Sequence, residues 1–267
     1  MGRATLAPVS DALRVFVEPT LSDAVLGASF EGWNDAGESA SGAVTYLERA
    51  IGSAPLAEID GEDFLDLTVC RPSMRLDDDG QRIIQWPATR FSYGSRGTAG
   101  ELVFARGIEP HLQWRRYCDL FTGMVRRAGV RRVVLLGAYV ADVVYSRPVS
   151  VTGFASKKGL LEEIGVSESG YEGPTGIVSV LANELLAEGL EVVSLWAGLP
   201  HYISACPNPR GSLALVDKLI ACLELELELD ALQRDALEFE ERISALVSSD
   251  PELEEYVKQL KRREFAQ

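Results

Sequence analysis

The sequence predicts an α/β fold, a mixed and mostly parallel sheet with helices on both faces, followed by a C-terminal helical hairpin. Three observations carry that expectation. Short apolar runs bounded by turn residues, among them Ala24–Phe30, Arg132–Gly137 and Leu190–Leu195, read as strands. Amphipathic stretches alternate with such runs through the second half, as crossovers between parallel strands require. From Leu229 onward the apolar residues change to the spacing of a helix packed on another helix.

In chain order, Leu13–Val17 and Ala24–Phe30 are strands, and Glu31–Gly37 is the loop that follows. Ala40, Ala43, Val44, Leu47 and Ile51 then share one helical face. Asp35 with Glu38 three residues on has the form of a capping box at its start. Pro55–Ile59, Leu65–Val69, Gln81–Trp86 and Glu101–Ala105 read as further strands, with Asp77-Asp78-Asp79-Gly80 as a tight turn. A helix over His111–Ala128 leads to the strand Arg132–Gly137, whose Val133-Val134-Leu135-Leu136 centre suits burial on both faces. A strand at Val149–Phe154 and a glycine-rich loop at Gly165–Gly176 follow. A helix capped by Thr175 runs through Leu186, and the strand Leu190–Leu195 comes next. A proline-rich loop, Leu199–Arg210, precedes a helix at Gly211–Leu223.

In the tail, Leu229, Leu232, Ala236, Phe239, Ile243 and Leu246 form a 3-4-3-4-3 stripe. Asp250-Pro251 ends that helix and opens another, with Leu253, Tyr256, Val257 and Leu260 inward. The chain therefore divides into an α/β core over 1–222 and an acidic helical extension over 223–267, packed on the core.

Composition narrows the function classes. Apolar residues are 46% and charged residues 25%, so the chain can bury a full core. The formal net charge is −14, and the stretch from Glu224 to Glu255 alone holds twelve acids against Arg234 and Arg242. Such a surface repels phosphate backbones and anionic lipid, so neither nucleic acid nor a membrane is an expected partner. No apolar run approaches the roughly 18 residues of a membrane span, and Met1–Asp11 has no signal-peptide pattern. Cys70, Cys118, Cys206 and Cys222 are far apart without a C-x-x-C pair, which fits buried thiols in a reducing cytoplasm. No metal or cofactor is expected.

Polar residues that could do chemistry collect in three loops at strand ends, where open α/β sheets bind ligands. In the first, Glu31, Trp33, Asn34 and Asp35 could orient a ligand or act as acid and base; equally, Asp35 caps a helix and Trp33 packs. In the second, Tyr171 and Glu172 accompany Thr175, with Glu172 a candidate base and Thr175 a candidate phosphate ligand or simple helix cap. In the third, His201 and Tyr202 lie near Ser204, yet no G-x-S-x-G elbow presents a nucleophile. Arg147 beside Pro148 could meet an anion or an acidic side chain. Dinucleotide and P-loop fingerprints are absent. Binding is thus the expectation ahead of catalysis.

Four ordered motifs resemble the PAC2 family, named for proteasome assembly chaperone 2, and are most like its actinobacterial branch. They are Phe30-Glu31-Gly32-Trp33-Asn34-Asp35-Ala36-Gly37, Arg147-Pro148-Val149-Ser150-Val151-Thr152-Gly153, Tyr171-Glu172-Gly173-Pro174-Thr175-Gly176-Ile177 and Ser194–Tyr202. Pro207-Asn208-Pro209-Arg210 and Asp250–Leu260 fit that branch too. The resemblance implies a three-layer α/β/α sandwich of the phosphorylase/hydrolase-like kind. It also implies a homo-oligomer, with a trimer as an expected form, and proteasome subunits as expected partners. Several eukaryotic and archaeal relatives engage the proteasome through a C-terminal hydrophobic-Tyr-X tail, whereas this chain ends Phe265-Ala266-Gln267. Tyr145 stands where the resemblance leads one to expect histidine. The leading expectation is a protein-binding assembly chaperone or scaffold. The alternatives are a nucleoside-phosphorylase or hydrolase-like enzyme, or a small-molecule sensor, using a pocket at the three loops.

Overall fold

A computed structural model describes residues 12–21, 23–95, 97, 100–223 and 225–265. Residues 1–11 and the end of the tail, Ala266-Gln267, lie outside them, and so do the readings made there. The strands are Leu13–Val15 (β1), Ala24–Glu31 (β2), Ala54–Asp60 (β3), Ser73–Leu76 (β4), Arg82–Gln85 (β5), Ala88–Ser95 (β6), Glu101–Ile108 (β7), Val130–Ala141 (β8), Val151–Ala155 (β9), Ser167–Glu168 (β10) and Glu191–Pro200 (β11). The helices are Ser39–Ile51 (α1), Trp114–Arg127 (α2), Leu160–Glu163 (α3), Ile177–Ala187 (α4), Pro209–Leu223 (α5), Asp230–Ser249 (α6) and Pro251–Phe265 (α7).

One mixed sheet runs β1-β3-β6-β7-β2-β8-β11-β9-β10. Its four central strands, β7, β2, β8 and β11, are mutually parallel. Antiparallel pairing adds β6, β3 and β1 on one side and β9 on the other. The centre is parallel because its strands are apolar on both faces: β2 is buried from Ala24 to Phe30 and β8 from Val133 to Ala138. On one face α2 and α4 seal a core around Tyr117, Phe121, Leu181 and Leu185. On the other α1 and α5 seal a second around Val44, Leu47, Leu215 and Leu219. Each large side chain buried there contributes about 1.5–3 kcal/mol.

Gly137 shows how close the packing is. A Cβ at that position would lie 2.5 Å from the Trp196 ring, which crosses β8 from the neighbouring strand.

Several local expectations are corrected. Leu65–Val69 is not a strand but a run of turns, because its amides are taken locally: Thr68 by the Asp66 carboxylate (2.8 Å), Leu65 by Gly61 O (2.8 Å) and Val69 by Asp66 O (2.9 Å). Phe64 still buries against Tyr117 (ring centroids 5.4 Å), and Leu65 is buried as well. β6 escapes the sequence reading because Pro87 and Gly94 mimic turn punctuation. α2 begins at Trp114, not His111, whose Nδ1 accepts the Asp66 amide at 3.0 Å. Cys118 and Cys222 are buried, but Cys206 is exposed on the loop before α5.

The tail forms the expected hairpin. Leu232, Ala236, Phe239 and Ile243 are buried, and Val247 replaces Leu246 as the last inward residue. A straight helix turns slightly more slowly per residue than a 3.5-residue stripe assumes, so the contact moves on by one position and leaves Leu246 53% exposed. Val257 and Leu260 of α7 close this third cluster over Val144, Tyr145 and Tyr202.

Candidate functional site

β2 and β7 are adjacent and parallel, yet β2 feeds α1 on one face and β7 feeds α2 on the other. Their carboxyl ends therefore lie at the kind of place where open α/β sheets bind ligands. The loop after β2 sits there. Glu31 is exposed at the strand end, Gly32 turns the chain with φ +113°, and Trp33 is 62% exposed. Asn34 and Asp35 turn inward and are buried.

Asp35 Oδ1 accepts the Ala40 and Ser41 amides (2.7 and 3.2 Å). It caps α1 across a 3-10 turn at Ala36–Glu38, so the reciprocal capping box with Glu38 does not form. Asn34 O accepts the Ala138 amide at 2.8 Å and ties the loop to β8. Asn34 Nδ2 donates to Glu109 Oε1 (2.7 Å), and the same oxygen accepts the Ile177 amide (2.8 Å) at the start of α4. Glu109 thus takes the capping role assigned to Thr175, which is exposed; Gly176 is the boundary residue. Only Gly fits there, since a Cβ would lie 2.1 Å from Asn34 Oδ1 and 2.6 Å from Glu109 Oε1.

Glu109 is the residue that sequence reasoning missed. It stands between a strand end and Pro110 with no motif, and its two partners come from segments 75 and 68 positions away.

The electrostatics follow from burial. Desolvation raises the Asp35 carboxyl above its ordinary value, and the Ser41 and Ala40 hydrogen bonds offset this only in part. Partial desolvation, reinforced by the nearby Asp35 charge, raises Glu31 as well. Ser29 Oγ and Asn34 Oδ1 are buried without a partner among the described residues.

Tyr171 and Glu172 lie on the outer face of the next loop, exposed. The Tyr171 hydroxyl donates to Pro174 O at 2.9 Å and closes that loop on itself. Its inner end, Gly176, meets Asn34. The third loop reaches the first through Asn208, whose amide donates to Gly37 O at 2.7 Å. Asn208 Oδ1 also caps α5 by accepting the Arg210 and Gly211 amides (both 3.2 Å).

Arg147, His201 and Tyr202 belong to a separate neighbourhood beyond β8 and β11. His201 Nδ1 is 3.0 Å from Asp142 Oδ1, and its ring meets Tyr202 and Tyr256 edge-on at 5.5 and 5.7 Å. The Tyr202 hydroxyl donates to Val143 O (3.0 Å) and accepts the Tyr145 amide (2.9 Å), so it staples two strand-end segments. Beside it a cavity of about 180 Å³ lies between Arg147, Ser150, Arg210 and the α6 residues Phe239 and Glu240. Arg210 spans that space, donating to Arg147 O at 2.7 Å and facing Glu240 at 3.4 Å. Among the described residues no group of three or more His, Cys, Asp or Glu could hold a metal ion, and no helix is long and apolar enough to cross a membrane.

The three loops that meet at Asn34 and Gly37 belong to a segment, residues 29–247, that matches the PAC2 family. The chain belongs to the PAC2 family. Among solved structures, a PAC2 family protein from Streptomyces avermitilis is 41% identical, covering 88% of this chain and all (100%) of that one, with a TM-score of 0.81. A Mycobacterium tuberculosis proteasome-assembly chaperone homologue is 39% identical over 87% of this chain and 99% of its own, with a TM-score of 0.79. A second M. tuberculosis protein, of unknown function, is 25% identical over 97% and 93% respectively, at 0.85. No curated protein matches the chain. The PAC2 match runs to Val247 and so takes in nearly all of α6, the helix that walls the cavity beside Arg147.

Proposed function

We propose that this PAC2 protein is a protein-binding assembly chaperone or scaffold, acting as a homo-oligomer on proteasome subunits. The observation that carries the reading is the near full-length likeness to a 39% identical relative that is a proteasome-assembly chaperone homologue. The site geometry supports it. Asn34 Nδ2, Asp35 Oδ1, Glu109 Oε1 and Asn208 Oδ1 are engaged in helix caps and loop contacts and are turned away from solvent chemistry. The acidic surface and the reducing-compartment cysteine pattern fit a cytoplasmic protein partner.

Purified chain mixed with proteasome α-subunits of the same organism is expected to give a stable complex on native electrophoresis and to speed assembly of α-subunit rings. Repeated absence of a complex, with normal proteasome assembly in a deletion strain, would overturn the reading.

A second reading, small-molecule sensing, rests on the cavity between Arg147 and Arg210. Its test is a screen of small anions for a rise in melting temperature that Arg147→Ala abolishes; a flat screen removes it.

A further inference from the structure

The hairpin of β4 and β5 leaves the sheet between β3 and β6, and all eight of its strand residues are exposed. Met74 pairs with Ile84 and Leu76 with Arg82, which puts Met74, Leu76, Ile84 and Arg82 on one face. Met74 is 59% exposed, Leu76 64%, Ile84 50% and the following Trp86 49%. A lone two-stranded hairpin is marginal in water, and the three large apolar groups on one side of it, Met74, Leu76 and Ile84, call for a covering surface. The aspartates Asp77, Asp78 and Asp79 sit in the turn, beyond the strands, so the charge that this face itself presents is that of Arg82.

A surface with the complementary character lies on the same molecule. A groove of about 520 Å³ runs between α6 and the loop before α5, with an apolar floor from Pro207, Phe239 and Leu246 and acids Asp235 and Glu238 on its rim. Arg242, stacked over Phe239 at 5.8 Å, is the one base among its lining residues. Arm and groove share the carboxyl end of the central strands, since β3 runs in the same sense as they do. They stand on opposite flanks: β6 and β11 are four strands apart, about 19 Å at the usual spacing. Each copy can therefore give one arm and receive another, a heterologous contact that closes into a ring when the rotation permits.

We infer that the 73–86 arm of one copy docks, apolar face down, in the α6 groove of a second copy of this chain, with Arg82 meeting Asp235 and Glu238. The inference rests on the homo-oligomer reading above and names the surfaces that build it.

Light scattering coupled to size exclusion tests it on the full chain. Wild type is expected to elute as a closed oligomer. Ile84→Glu and Arg82→Glu should each weaken association at least tenfold while circular dichroism stays that of wild type and melting falls only by what the lost association accounts for. The double variant Arg82→Glu with Glu238→Arg should regain the oligomer. If wild type is oligomeric and Ile84→Glu remains so, the arm-in-groove contact is wrong and the homo-oligomer reading survives. A monomeric wild type overturns both. Capture of α-subunits by the Ile84→Glu variant, scored separately, keeps the fate of the chaperone reading distinct from either result.

Discussion

Two regions at the same end of the sheet are built on opposite terms. The hub where Asn34, Asp35, Glu109 and Gly176 meet is polar, buried and tied to its neighbours by hydrogen bonds from distant segments. The 73–86 arm is exposed and presents one apolar face, of Met74, Leu76 and Ile84. A buried polar cluster costs free energy wherever a donor or acceptor is left unmatched, so its residues are constrained by the frame they hold. An exposed apolar strand pair gains nothing where it is, so its residues are explained by something outside the chain. The contrast teaches that rigidity and recognition are assigned to different places in this molecule. Substitutions should separate them.

The largest effect is expected at the hub. Gly176→Ala forces a Cβ against Asn34 and Glu109 and should cost about 3 kcal/mol, the upper range for overpacking, in denaturant unfolding. Glu109→Ala should cost about 2 kcal/mol by stranding the Asn34 amide and the Ile177 N–H together. A loss below about 0.5 kcal/mol from either substitution would show that the hub does not brace the frame.

Asp35 gives the next effect and a sign. Because its folded carboxyl titrates above the ordinary 3.8, protonation favours the folded state. Its contribution is full below 3.8 and is lost as the pH rises through the raised folded value. Asp35→Asn keeps an acceptor for the Ala40 and Ser41 amides and should flatten that part of the stability–pH curve. Asp35→Ala also removes the cap and should cost about 1 kcal/mol more than Asn. An unchanged pH profile in Asp35→Asn would show that the carboxyl is not the titrating group. The smallest effect belongs to the arm: Ile84→Ser should alter the unfolding free energy of the monomer by less than about 0.5 kcal/mol.

Much of the frame was legible in the sequence because burial leaves a periodic trace. The runs in β2, β8 and β11 and the faces of α1 and α7 could be read directly. What was not legible is of two kinds. Asp66 overrides the strand-like apolarity of Leu65–Val69 by accepting the Thr68 and Val69 amides, a local competition that hydrophobic pattern does not record. Glu109 acquires its meaning only when β7 is laid beside β2 and α4, which a linear reading cannot supply. The loop residues Glu31, Trp33, Asn34 and Asp35 were found together because they are contiguous. Arg147, His201 and Tyr202 fall in another neighbourhood because their loops leave the ends of β8 and β11 and are covered by residues of α6 and α7.

The central claim is that this PAC2 protein works by binding protein through its surfaces while the strand-end hub holds the frame. The most direct test is equilibrium binding of the full chain to purified proteasome α-subunits, with wild type and Glu31→Gln compared side by side. The account predicts saturable binding that is the same for both, since the raised Glu31 carboxyl is not asked to do chemistry. No binding by wild type, together with turnover of a small molecule that Glu31→Gln abolishes, would contradict it.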